Sequence, residues 1–421
     1  MDAVKIFHGD ILYSEDETHL NVYEDSYIAV QDGIVEGIYA SLPEKYLPVK
    51  VVDYGRKLII PAFSDLHVHA SQYVQRGIGM DALLSDWLNR YTFLQEAKFA
   101  DMEYAARVYD AFVDDLIRQG TFHSAIFATI HREATDYLFD RLEKKGLYAF
   151  VGKVNMDCGS PSCLCETTEE SLRETRLYLD RHTDCTTVKP IITPRFAPTC
   201  SQELMKGLGK LAKEYHCGVH THLVESKWEA AEALKLFPKY RSDAEIYESA
   251  GLMEHGPSIF AHFIFPSPED IRIVKKHHGM TVHCPDSTTN IIAGIMPVAA
   301  LQEQGVDIAL GSDVGGGQTL AIYRQVSRAV QLSKLKEFYE PEGNRTITFA
   351  HAFYLATKAG GSVFGKVGSL EKGYCFNALV IDSMEDDAIR LSAQERLERF
   401  CYIGDDRNIA ARYLSGNAVD V

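Results

Sequence analysis

Residues 61–72 read PAFSDLHVHASQ, a short apolar run that closes on two histidines, His67 and His69, and then on Gln72. In an extended strand residues i and i+2 share a face, so the two imidazoles project the same way. Two ligands of one metal require that arrangement. Two ordinary hydrogen-bonded histidines in an amphipathic strand would show it equally, so the choice rests on what the rest of the chain brings to the same place.

Working outward, this run is the first of eight with the same character. The others are FHSAIFATIH, LYAFVGKVNM, TVKPIITPRF, GVHTHLVES, PSIFAHFIF, GMTVHCPDS and GVDIALGSDV. Between them lie stretches such as DMEYAARVYDAFVDDLIRQG and SQELMKGLGKLAKEYHCG, whose apolar positions recur at three and four, the helical period. Gly120, Gly146, Gly218, Gly279 and Gly305 stand where a helix should end and a strand begin. Alternating strands and helices predict a parallel sheet, and eight such units predict an α/β fold of the (β/α)8 TIM-like barrel kind over residues 61–365. A doubly wound sheet is the other arrangement, but the chain has no glycine-rich dinucleotide fingerprint. The ends read differently. VKIFHGDILY and YIAVQDGIVEGIYA, with GYCFNALVIDS and YLSGNAVDV, look like strands joined by turns. They predict a small flanking β-domain built from both termini, residues 1–60 and 366–421.

The 421 residues carry a formal net charge of −16, which works against a phosphate-backbone partner and favours a free small molecule. No apolar stretch is long enough to span a bilayer, and MDAVKIFHGD lacks the basic-then-apolar pattern of a signal peptide, so the expected location is cytoplasmic, with no membrane partner. Nine scattered cysteines suit a reducing compartment. Only Cys158, Cys163 and Cys165 cluster, without the four-ligand CxxC spacing of a structural zinc site, and a plain polar loop is expected there. GxSxG and P-loop motifs are absent, and the echo of HxE…PCxxC in HREA and PSCLC fails on the cysteine spacing.

Other metal-ligand residue types fall at matching places: His222 ends the fifth run, His262 the sixth and Asp313 the eighth. Barrel enzymes draw single residues from the C-terminal ends of several strands, so these endings converge with His67 and His69. Imidazole and carboxylate ligands with an open position suit Zn2+ or Fe2+, either of which brings the pKa of bound water to about 7. Glu225, three residues beyond His222, is placed to move a proton at such a centre; on its own it would read as a loop acid before a helix. His220 reads as a core histidine, His283 as a structural neighbour rather than a ligand, and His131 as part of the pocket lining. His277 and His278 read as solvated.

This constellation resembles the metal-dependent amidohydrolase superfamily. Within it, PAFSDLHVHASQY, LLSDWLNRYTF, YAFVGKVNMD, ETTEESLRET, VKPIITPRF, HLVES and CYIGDDRNI are similar to the guanine deaminase family over most of the chain. The resemblance implies that His67, His69, His222 and Asp313 hold one Zn2+ per subunit, with His262 close to the bound water. Arg195 stands where the two-metal branch has a bridging lysine, and Lys189 lies too far back. Glu225 would shuttle the proton from water to the ring, and Asp313 would help protonate the departing ammonia. Gln72 and Arg195 would hydrogen-bond the purine edge, with Phe196 and Trp87 as apolar walls; core packing is the other reading of Trp87. The implied reaction is hydrolysis of guanine to xanthine and ammonia by a zinc-bound hydroxide in a homodimer. The alternatives are a deaminase of another aminated heterocycle, such as another aminopurine, a pterin or a triazine, and a catalytically silent protein of the same fold. Two departures from the family pattern bear on substrate preference, Phe263 in place of a glycine and HCPDSTTN with Asp286 and Thr288; a third, Asn377 in place of an aspartate, is expected to have no catalytic effect.

Overall fold

A computed structural model of the chain describes residues 4–82, 84–385 and 388–420. The N-terminal part forms β1 (Lys5–Ser14), β2 (Leu20–Gln31), β3 (Ile34–Tyr39) and β4 (Val51–Pro61). The barrel strands follow: β5 (Phe63–His69), β6 (Thr121–Phe127), β7 (Tyr148–Gly152), β8 (Val154–Asn155), β9 (Val188–Pro190), β10 (Thr193–Pro194), β11 (Val219–Leu223), β12 (Ser258–His262), β13 (Met280–His283) and β14 (Asp307–Leu310). The C-terminal part adds β15 (Ala378–Ile381), β16 (Ile409–Leu414) and β17 (Asn417–Ala418).

The parallel strands run in the order β5-β6-β7-β9 and β11-β12-β13-β14, with helices between them. A bridge from Ile192 to Val219 joins the two sets on one side. On the other, the Asp313 N–H donates to the His67 carbonyl and the His69 N–H to the Val314 carbonyl, both at 2.8 Å, so the circle closes. Leu66, Ala125, Phe150, Ile259, Val282 and Ala309, one from each of six strands, pack together as the barrel's own interior. The third and fourth runs of the sequence are each split in two, into β7 with β8 and β9 with β10. Pro190 marks the second break because it has no N–H to give the ladder.

The termini form one seven-stranded sheet in the order β17-β16-β15-β4-β1-β2-β3, as their strand-like sequences predict. Its core includes Phe7, Ile11, Ile28, Ile59, Phe376 and Val380. A helix, Ala393–Ile403, also lies in this part, started by a capping box in which Ser392 and Glu395 satisfy each other's backbone N–H. Only Ala62 separates β4 from β5, so the sheet and the first barrel strand are one continuous piece of chain.

The helix-ending glycines divide into two kinds. Gly120, Gly146 and Gly305 take the left-handed φ of a C-cap, at 76°, 73° and 79°. At the other two junctions His216 and His278 take that conformation instead, at φ 49° and 50°. Gly218 and Gly279 serve close approach: a Cβ on Gly218 would sit 2.1 Å from the Pro257 carbonyl, and one on Gly279 2.7 Å from the Phe260 ring.

Candidate active site

The C-terminal ends of the barrel strands gather the predicted ligand types into one buried cluster. His67 and His69 come from β5, His222 from β11 and His262 from the last position of β12, while Asp313 lies three residues past β14. Nε2 of His67 is 3.2 Å, and Nε2 of His69 3.4 Å, from Oδ1 of Asp313. Nε2 of His69 is 3.2 Å from Nε2 of His222, and Nε2 of His262 is 3.9 Å from Oδ2 of Asp313. Three overlapping sets have ligand atoms within 4.8 Å of one another: His67, His222 and His262; His67, His69 and Asp313; and Glu225, His262 and Asp313.

The backbone bends sharply where these side chains leave the strands. His262 has φ 75° and is the middle residue of a three-residue turn closed by the Phe263 N–H on the Ala261 carbonyl at 3.1 Å. That is the strained form of the γ-turn. Phe263, Val224 and Asp313 are also left-handed, at φ 50°, 48° and 46°. Four such residues around one site cost on the order of 1–3 kcal/mol each, a load that proteins carry chiefly where a side chain must be aimed.

Fit to a metal follows from how the rings are tied. Nδ1 of His222 donates to the Arg195 carbonyl at 2.6 Å, which leaves a lone pair on Nε2. Nδ1 of His67 meets Nε2 of His220 at 3.0 Å, and with Nδ1 as the donor Nε2 of His67 keeps its lone pair. That Nε2, and both ring nitrogens of His262, are buried and have no hydrogen-bond partner. Burial also holds the imidazoles of His67 and His222 down to about 3, and those of His69 and His262 well below their usual value. Neutral imidazoles with free, converging lone pairs beside a carboxylate are a borderline-soft donor set that suits Zn2+.

Glu225 lies two residues before the helix Lys227–Leu236, whose N-cap is Ser226. Its N–H donates to Oε2 of Glu229 at 2.7 Å, and its own Oε1 is 3.5 Å from Nε2 of His262. Burial, reinforced by the charge of Asp313, pushes the Glu225 carboxyl up to about 8. It is therefore no solvated loop acid; it faces the cluster.

The cluster lies along one side of a cavity of about 780 Å3 that is also lined by Gln72, Trp87, Phe93, Arg195, Phe196 and Glu225. Trp87 fills both roles weighed for it: it lines the cavity and is 3% exposed, with Nε1 donating to the Ile78 carbonyl at 3.0 Å. Arg195 follows β10 directly, and Gln72 lies in the 3-10 turn after β5.

Several neighbours were less legible. His220 is buried as expected, and it is also the ring that holds Nδ1 of His67, at 3.0 Å. His131 is not among the lining residues, because it stands at the N-cap of the helix Arg132–Lys145. His277 is half-buried and bonded to Glu248 at 3.0 Å rather than solvated. Phe263 is fully buried in the main hydrophobic core, away from the cavity. Asp286 is held by Gln325 at 2.8 Å and Arg328 at 3.1 Å, also behind the cavity wall. Asp65 carries no sequence signal: it accepts from the Ser312 N–H at 2.9 Å and the His67 N–H at 3.2 Å, tying β5 to the segment that carries Asp313. Glu96 carried no sequence signal either, and it contacts both Gln72 and Arg195.

Comparison with known proteins places this geometry among relatives. A profile described as the amidohydrolase family matches residues 58–419. Guanine deaminase of Dictyostelium discoideum is 33% identical over 443 residues, covering 99% of this chain and 98% of that protein. The human guanine deaminase is 31% identical over 439 residues, covering 98% and 96%. Among solved structures, guanine deaminase from C. acetobutylicum with guanine bound in its active site superposes with a TM-score of 0.96, at 43% identity, covering 99% of this chain and 100% of that one.

Proposed function

The chain belongs to the amidohydrolase family, and from that premise we propose that it hydrolyses guanine to xanthine and ammonia. One observation carries the reading. A single cavity is lined both by members of the histidine–aspartate cluster with Glu225 and by the polar pair Gln72 and Arg195, as a site that binds a purine by its polar edge should be.

In this account His67, His69, His222 and Asp313 would hold one Zn2+, with Fe2+ the other metal that suits the set. When bound, such a metal supplies a Lewis acid and lowers the pKa of water toward 7. Glu225 takes a proton from the attacking water and delivers it to a ring nitrogen, a role that suits a carboxylate 3.5 Å from Nε2 of His262 at the edge of the cluster. His262, 3.5 Å from Glu225, holds the water against that carboxylate. Asp313 takes part in protonating the ammonia that leaves. Arg195 donates to the ring carbonyl, which suits a guanidinium because it donates without accepting. Phe196 and Trp87 flank the ring and keep water from its faces.

Phe263 and Asp286 do not reach the cavity, so neither departure from the family pattern favours a different heterocycle. The test is loss of ultraviolet absorbance on incubating metal-replete protein with guanine and with a panel of other aminopurines, a pterin and a triazine. Guanine should be turned over with the highest kcat/KM. No turnover of guanine beside turnover of another heterocycle would overturn the assignment.

A further inference from the structure

The residues that read the ring are themselves held by a third. Glu96 ends the short helix Phe93–Glu96, is 5% exposed, and is not part of the cavity lining. Its Oε1 accepts from Nε2 of Gln72 at 2.8 Å, and its Oε2 accepts from Nη1 of Arg195 at 2.7 Å. The guanidinium also packs over the ring of Phe93, 5.6 Å from its centroid, one turn back along the same helix. On its other side Gln72 is fixed by the Gly315 N–H, which donates to Oε1 at 3.3 Å.

We infer that Glu96 is a positioning residue that sets the selectivity of this site for a ring carbonyl, by fixing Gln72 and Arg195 in one donor arrangement. The inference rests on the guanine deaminase reading and deepens it. An ionised carboxylate only accepts hydrogen bonds, so it demands that Gln72 turn its amide nitrogen toward Glu96 and its oxygen toward Gly315. A flipped amide would set oxygen against carboxylate and N–H against N–H. Arg195 gives one of its five N–H groups to Glu96 and keeps the others for the ligand, with its plane fixed by the charge-assisted bond and by Phe93. The cavity wall thereby presents donors, and a purine bearing a carbonyl is matched. A purine bearing an amine at that position would meet donor with donor, the mismatch that hydrogen-bonding sites reject most strongly.

The probe is 2,6-diaminopurine, which keeps the amine removed from guanine and replaces the ring carbonyl by a second amine. The experiment compares kcat and KM on guanine and on 2,6-diaminopurine for the wild type, Glu96→Gln and Glu96→Asp, with melting temperature and bound metal measured alongside. A glutamine at 96 can offer either end of its amide, so the orientation of Gln72 is no longer dictated. Expected for Glu96→Gln is a fall of at least tenfold in kcat/KM for guanine, mainly through KM. The guanine-to-diaminopurine ratio should narrow by at least tenfold. Glu96→Asp keeps the charge on a shorter stem and should lie between, so it carries the test if Glu96→Gln folds poorly. A residue that only supported the fold would lower Tm and both activities together, leaving the ratio unchanged; an unchanged ratio in folded, metal-bound variants overturns the inference. A wild type inactive on guanine would instead fail the reading beneath it, so the two failures are told apart by the wild-type assay.

Discussion

Glu225 and Phe263 show how single residues divide between chemistry and fold at the same strand ends. Glu225 is buried against His262 and is not one of the proposed metal ligands. Glu225→Gln should therefore lower kcat by about 10^2–10^4-fold, the range for losing a general acid–base group, while bound metal stays at the wild-type level. Steady-state kinetics with elemental analysis check both halves; loss of metal along with activity would contradict the assignment. At Phe263 two effects compete. Its left-handed φ of 50° is strained, and glycine would relieve about 1 kcal/mol. The fully buried ring is worth roughly 3–5 kcal/mol. The ring wins, so Phe263→Gly should destabilise the protein by about 2–4 kcal/mol in urea unfolding.

At the scale of elements, the candidate histidine and aspartate ligands were legible because they stand at or shortly past the ends of apolar strands, and strand ends are countable from sequence. His67, His69, His222, His262 and Asp313 all converge for that reason. Glu96 and Asp65 were not, because their partners are 99 and 247 residues away and nothing local marks a carboxylate that will meet them. His220 was visible as a buried strand residue, but only the barrel's closure brings it against His67. The C-cap glycines show the same limit: periodicity located the helix ends, while the need for glycine at 218, set by the nearby Pro257 carbonyl, and the left-handed turn at His216 are visible only in the fold. Gly209 tests the role of such close approaches. It lies mid-helix in Gln202–Tyr215, where alanine would ordinarily stabilise by about 1 kcal/mol. A Cβ there would fall 1.6 Å from the Ala250 carbonyl, so the backbone must move. Gly209→Ala should lower stability by roughly 1–3 kcal/mol net, seen as a fall in melting temperature.

At the scale of the molecule, the barrel and the sheet of the two termini are tied by buried polar groups. His123 of the barrel bridges Ser64 at 3.1 Å to Asn377 of the terminal part at 3.0 Å. Nδ2 of Asn377 donates to Nε2 of His123, so that ring is neutral, and burial holds it at about 3. A histidine lowered from 6.5 in the unfolded chain contributes stability that is complete above pH 6.5 and is lost progressively as pH falls toward 3. Between pH 6.5 and 5 that loss is about 2 kcal/mol for one group. Urea unfolding at the two pH values should show His123→Gln losing about 2 kcal/mol less than the wild type. Among the described residues no helix is long and apolar enough to cross a membrane. The barrel, its terminal sheet and the strained strand ends thus serve one site, which releases ammonia from guanine with the help of a metal. The direct measurement is ammonia release from guanine by the protein after chelation and again after reloading with Zn2+. Turnover that disappears with the metal and returns with it, one ammonia per xanthine, is the predicted result; turnover unaffected by chelation, or none after reloading, would contradict the account.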